Sequence, residues 1–321
     1  MLRLLITAVL GCVMAVAPLA TLAAFPEKPV RLIVPFPPGG GSDTLARIMS
    51  KKLGEMWGQP LIIENRGGAQ GNLGTALGAK APADGYTITL VVHGAMVLSP
   101  HMYDNIGYDS NKDFAPITRG TQQEYILVSH PNVKVKTLKD VVDAARAQPG
   151  KLTFGTSGTG PALVGELLKL NHKIDLLHVP YRGAGPASVA VMAGETDFLI
   201  ANPTAVVQLI KSGRLRGIAI LGKNKNELLP DIPTAVEAGF PDMSDIPEWY
   251  GFVVPAGTPA PIVAKLNADF VAALNDPEVQ KAIRALGTTP SPSTPGEFAE
   301  QIRIDYERWG KVIKAAGVKG E

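Results

Sequence analysis

The chain has 321 residues and a formal net charge of +2 at pH 7, one unit of which belongs to Arg3. Near-neutral charge excludes a basic nucleic-acid-binding stripe. Cys12 is the only cysteine, so disulfides and thiol chemistry are excluded from everything that follows it.

Met1-Leu2-Arg3, an apolar run from Leu4 through Ala17 and the small-residue end Ala20-Thr21-Leu22-Ala23-Ala24 read as a signal peptide over residues 1–24. Pro18 and the alanines predict cleavage after Ala23 or Ala24 rather than retention as an anchor. Leu10-Gly11-Cys12 has a faint likeness to a lipoprotein acylation site, but Leu10 stands where a smaller residue is usual. No later run approaches the roughly 20 apolar residues of a membrane span. The remainder is expected to be exported and soluble, and it is longer than one ordinary core, so two lobes are expected.

From Val30 onward, short β-branched runs alternate with Gly/Pro/Ser turns and amphipathic stretches, which predicts α/β lobes with mainly parallel sheets flanked by helices. The first sheet is expected from strands at Val30 to Val34, Leu61 to Ile63 and Thr87 to Val92. Between the first two, Leu45, Ile48, Met49, Leu53 and Met56 recur at helical spacing. A second sheet is expected from Tyr125 to Ser129, Leu152 to Phe154, Leu176 to Val179, Asp197 to Ile200 and Gly217 to Leu221. An apolar run at Trp249 to Val254 and three closing helical patterns have no sheet of their own, so they are assigned back to the first lobe. The expected organisation is a first lobe over 25–120 and 231–321 and a second over 121–230. Crossings near residues 118–124 and 225–248 make a hinge with a cleft.

Four loops share one design, in which a strand ends in glycines or hydroxyls and a helix begins at once. The first runs through Pro37, Pro38, Gly39, Gly40, Gly41, Ser42 and Asp43. The second is Gly155-Thr156-Ser157-Gly158-Thr159-Gly160, followed by Pro161 at a first helical position. The third is Gly183-Ala184-Gly185-Pro186, directly after Arg182, and the fourth is Asn202-Pro203. Backbone N–H groups at such helix starts hold an anion without a charged side chain. Any one of these loops is ordinary turn chemistry. Four at the carboxyl ends of strands, where open sheets bind ligands, point to an anion site. His93-Gly94, directly after a strand at the cleft edge, joins the candidate list.

Rival chemistries fail on spacing. The glycines at 39–41 do not make a dinucleotide fingerprint, although Glu64 stands where its acidic residue would. Gly155-Thr156-Ser157-Gly158-Thr159 lacks the last glycine of a hydrolase elbow, and no Walker lysine follows the first loop. Histidines 93, 101, 130, 172 and 178 form no metal-ligand pattern. No catalytic residue and no cofactor is expected, which leaves a small-molecule enzyme on the same scaffold as a lesser alternative.

Phe25-Pro26-Glu27-Lys28-Pro29-Val30-Arg31, Pro35-Phe36-Pro37-Pro38-Gly39-Gly40-Gly41-Ser42-Asp43, Glu64-Asn65-Arg66-Gly67-Gly68-Ala69 and Ala83-Asp84-Gly85-Tyr86 closely resemble the receptors of tripartite tricarboxylate transporters, the Bug family. So do Asp113-Phe114-Ala115-Pro116-Ile117, Tyr181-Arg182-Gly183, Pro230-Asp231-Ile232-Pro233-Thr234 and Pro255-Ala256-Gly257-Thr258-Pro259. The resemblance runs in order from Phe25 almost to the end. It implies a periplasmic binding protein of the two-lobed, type II Venus-flytrap kind, delivering an organic acid or related solute to membrane permease subunits; a monomer is expected, and sensing the same ligand for a membrane signalling partner is the variant of this role. It also implies that the loops at Pro37 to Asp43 and Gly155 to Gly160 face each other and hold carboxylates. Two positions depart from the pattern: Asn202 lies where many relatives carry aspartate, and His93 lies near a usual serine or threonine.

Overall fold

A computed structural model of the chain describes residues 25–319 apart from 245 and 247. The expected signal peptide and Cys12 lie outside the described residues. In chain order the elements are β1 (Val30–Val34), α1 (Gly41–Trp57), β2 (Leu61–Asn65), α2 (Asn72–Ala79), β3 (Thr87–Val92), a π-helical turn (Gly94–Leu98), α3 (Ser99–Met102), β4 (Phe114–Gln123) and β5 (Tyr125–Ser129). They continue with α4 (Leu138–Ala147), β6 (Thr153–Thr156), α5 (Thr159–His172), β7 (Leu177–Pro180), α6 (Ala184–Ala193), β8 (Phe198–Ala201), α7 (Pro203–Lys211) and β9 (Arg216–Leu221). The chain closes with β10 (Glu248–Pro255), α8 (Ala260–Asn275), α9 (Pro277–Arg284), β11 (Thr289–Pro290) and α10 (Pro295–Ala316).

Two sheets result, ordered β11-β4-β10-β3-β1-β2 and β7-β6-β8-β5-β9. β1 pairs parallel with β2 and β3, and β6 pairs parallel with β7 and β8. The strands next to the crossings join antiparallel: β10 with β3 and β4, and β5 with β8 and β9. Each lobe thus has a parallel half, whose strand ends feed helices, and an antiparallel half, which holds the strands nearest the crossings.

The crossings are short where strands make them. β4 ends at Gln123 in the first sheet and β5 begins at Tyr125 in the second, so Glu124 alone spans the first crossing. β4 has no strand signature, since Pro116, Arg119, Gly120 and a polar Thr/Gln run interrupt it. Pairing with β10 along its length makes it a strand all the same. The second crossing leaves the second lobe late. Ala235 still donates its N–H to the carbonyl of Ile220 at 2.7 Å, and the Phe240 ring stands on His172 at 4.8 Å.

The first lobe buries Leu45, Met49 and Leu53 of α1 with Leu266 and Phe270 of α8 against β1, β3 and β10. Each such side chain contributes about 1.5–3 kcal/mol of burial. Phe270, fully buried, packs its ring 4.6 Å from Phe252 and 6.3 Å from Trp57. Truncating it to alanine costs about 3–5 kcal/mol. The opposite face is covered by α10, whose Trp309 and Ile302 join the core that runs on into the second lobe. Among the described residues no helix is long and apolar enough to cross a membrane.

Candidate functional site

The first three of the four loops join the carboxyl ends of β1, β6 and β7 to α1, α5 and α6, and the fourth leads from β8 into α7. Their N-caps are Gly40, Gly158, Gly183 and Asn202, and none caps its helix with its own side chain. Elsewhere in the fold α2, α3 and α8 also start without a side-chain cap, whereas three other helices carry one. α4 and α10 begin with complete Thr-Asp and Thr-Glu capping boxes, and Asp276 caps α9. Helix starts without a cap leave backbone N–H groups without intrahelical partners. The first residues of α1, α5 and α6 border one cleft, and the fourth loop reaches it through Asn202.

That cleft lies between the lobes and holds a small cavity of about 50 Å³. Of the residues singled out from sequence, Pro38, Gly40, Gly41, Ser42, Gly94, Ser157, Gly158, Thr159, Gly160, Gly183 and Asn202 line it. The lobes touch across it. The Ser99 and Thr159 hydroxyls lie 2.9 Å apart, and a Cβ on Gly41 would stand 1.9 Å from the Thr204 Oγ1 of the opposite lobe. Gly94 also lies close to Gly160, whose nitrogen a Cβ on Gly94 would meet at 2.9 Å.

The other five candidates sit off the lining. Gly39, with φ of 88°, turns its N–H back onto Asp43 Oδ2 at 3.0 Å. Asp43 is buried, which raises its pKa, but hydrogen bonds from Arg47, Gly39 and Asn65 outweigh that and hold it below the usual carboxylate range. It braces the loop from behind. Thr156 is buried and bonds His178 Nε2 at 2.6 Å. His93 stands behind the cleft, its ring edge-on to Trp249 at 5.5 Å and to Trp309 at 6.3 Å. Complete burial pushes its pKa down to about 3, so it is neutral. Arg182 lines a separate outer groove with Phe36, Pro37 and the 67–73 loop.

The floor was not foreseen from the sequence. Tyr125 of β5 donates a hydrogen bond to Glu248 at the start of β10, and Asn202 Nδ2 donates to the Tyr250 hydroxyl. Burial pushes the Glu248 carboxyl up to about 8, against a smaller opposing effect of the Tyr125 bond. Tyr250 is raised above its ordinary value, first by burial and then by Glu248. The only sequence signal was a carboxylate placed directly before an apolar run. Phe36, Pro37, Val92, Pro161 and Pro186 give the walls an apolar character. Among the described lining residues there is no lysine, arginine or histidine, and Glu248 carries the only carboxyl group.

A neutral, amide-rich pocket with a hydroxyl fringe binds anions by dipoles and hydrogen bonds. Among the described residues no group of three or more His, Cys, Asp or Glu could hold a metal ion. A family model described as the tripartite tricarboxylate transporter family receptor matches residues 45–318. The chain belongs to this receptor family.

It is a family of solute-binding receptors rather than enzymes. Protein BugT of Bordetella pertussis is 34% identical to this receptor over 318 residues, covering 97% of both chains. Two solved structures share the fold closely. An R. palustris protein with adipate is 31% identical, with a TM-score of 0.88 over 92% of this chain and 99% of that one. MatC from Rhodopseudomonas palustris with bound malate is 31% identical, with a TM-score of 0.84 over 90% and 100%.

Proposed function

We propose that this receptor works in the periplasm, binds a small carboxylate in the interlobe cleft and delivers it to membrane permease subunits of a tripartite transporter. One observation carries the reading: three helix starts with no side-chain cap, those of α1, α5 and α6, converge with Asn202 on a cleft that no cationic side chain lines among the described residues. Backbone amides of Gly41, Ser42, Thr159 and Gly160, with the hydroxyls of Ser42, Ser157 and Thr159, are the proposed donors to the carboxylate. Relatives with adipate and malate support that ligand class.

A thermal-shift series of mono- and dicarboxylates tests the reading, because a ligand that binds only the folded chain raises its melting temperature. Calorimetry then gives affinity, and mass spectrometry is expected to recover the ligand unchanged. A series without any shift would sink the proposal. Export is tested by the intact mass of secreted material, which is expected to lack the first 23 or 24 residues.

A further inference from the structure

The loop between β2 and α2 holds four successive residues at positive φ: Gly68 at 144°, Ala69 at 48°, Gln70 at 57° and Gly71 at 97°. Glycine accepts that region freely, whereas the Cβ atoms of Ala69 and Gln70 crowd the backbone there. Such geometry persists only where the surroundings hold it. Here the hold comes from both sides. Gly71 lies under the Phe36 ring, where a Cβ would be 3.0 Å from Cζ. Ahead of it, the Gln70 Oε1 accepts the N–H of Gly158 at 2.7 Å.

Gly158 belongs to the other lobe, where it is the N-cap of α5 and itself has φ of 108°. The bond therefore spans the cleft. It lies on the side that opens into the outer groove, whose lining includes Gln70 and Arg182. The start of β5, directly after the first crossing, and the start of β10 form the cleft floor instead. A contact at the mouth stretches early when two lobes rotate about such a floor.

We propose that Gln70 is a positioning residue for ligand retention: a latch from the first lobe that takes the Gly158 N–H, favours the closed receptor and slows escape of the bound carboxylate toward the outer groove. This rests on the receptor reading above. Opening exchanges the bond for water, so its loss shifts the closed-to-open ratio roughly threefold to tenfold. Release through the open form accelerates by the same factor.

The test begins without ligand. Cys12 is the only native cysteine and precedes Phe25, so spin labels on Glu55→Cys and Arg214→Cys of the secreted receptor report the distance between lobes. Gln70→Met keeps the side-chain length and the strained backbone but has no acceptor oxygen. Gln70→Gly lacks the acceptor and relieves the strain, so it cannot fail to fold for that reason. Both are expected to move the distance distribution roughly threefold to tenfold toward the longer population, whereas Gln70→Glu, which keeps an acceptor, stays closed. Distributions for Met and Gly that match the parent, or opening by Glu equal to that by Met, would overturn the latch. Calorimetry with malate and adipate is read separately. A parent that binds neither counts against the carboxylate reading and leaves the latch result standing.

Discussion

The Tyr125 hydroxyl donates to the Glu248 carboxyl and so ties the first strand of the second lobe to the return strand of the first, at the floor of the cleft. Both groups are buried, and no lysine or arginine lies among the described residues lining the cleft beside them. That is why the carboxyl titrates near 8 rather than in its ordinary range. Between the two values the folded chain holds a proton that the unfolded chain has released. Stability contributed by this site therefore falls as pH rises from about 4.5 to about 8 and is level above that. Glu248→Gln keeps an acceptor for Tyr125 and removes the titration. Its stability is expected to gain on the parent as pH rises through that window, by an amount on the order of a few kcal/mol at most, seen as a rising difference in melting temperature. Parallel melting curves from pH 5 to 8.5 would refute the assignment.

His93 supplies the opposite slope. Its folded pKa of about 3 lies below the ordinary 6.5, so the unfolded chain takes up a proton that the folded chain refuses. Stability is lost as pH falls from about 6.5 toward 3. His93→Gln is expected to flatten this acid limb, even though it also loses packing on Trp249 and Trp309. The slope below pH 4.5 is the diagnostic quantity, since Glu248 has no effect there. An unchanged slope in chemical denaturation at pH 3.5 to 4.5 would contradict the burial of a neutral ring.

The contact between Gly41 and Thr204 predicts a variant that blocks closure while leaving each lobe intact. Gly41 begins α1 without a positive φ, so alanine there causes no local strain. Its Cβ would collide with Thr204 across the cleft, 1.9 Å from Oγ1 and 2.6 Å from Cβ. Gly41→Ala is expected to enlarge the radius of gyration in solution scattering and to weaken ligand binding at least tenfold, roughly the effect of a forced repacking. Adding Thr204→Gly makes room and is expected to restore both. Restoration that fails would place the obstruction elsewhere.

The strands, the two-lobe plan and the glycine-rich helix starts were legible because they depend on local patterns: β-branched runs, helical spacing and Gly or Pro at turns. Glu248, Tyr125 and Tyr250 were not legible as site residues. They sit in apolar strands as buried side chains, and only the antiparallel docking of β10 beside the crossing at Glu124 brings them to the cleft floor. Asp43 and Thr156 show the converse. Each occupies a loop of the right design, but its side chain turns inward to brace the loop that presents the backbone. Sequence spacing placed the loops, and side-chain direction within them was decided by partners distant in the chain, such as Asn65 and His178.

The last prediction separates backbone capture from side-chain capture of the ligand. Arg182 directly precedes the third loop, yet it lines the outer groove and not the cleft. Its influence on a bound anion is then long-range attraction, screened over about 8 Å at physiological salt. Arg182→Gln is expected to weaken binding of malate or adipate less than about threefold, mainly through a slower, salt-sensitive association rate. Gly158 is different. Its φ of 108° disfavours any side chain, and its Cβ would project toward the Phe36 ring at 3.7 Å, at the start of α5. Gly158→Val is therefore expected to strain the α5 start and abolish binding in a chain that still folds. Gly40 offers the control, because its φ of −86° and the open space around its Cβ tolerate alanine. Calorimetry on the three variants decides. Loss of binding in Arg182→Gln together with normal binding in Gly158→Val would mean that a guanidinium, not helix-start amides, holds the carboxylate.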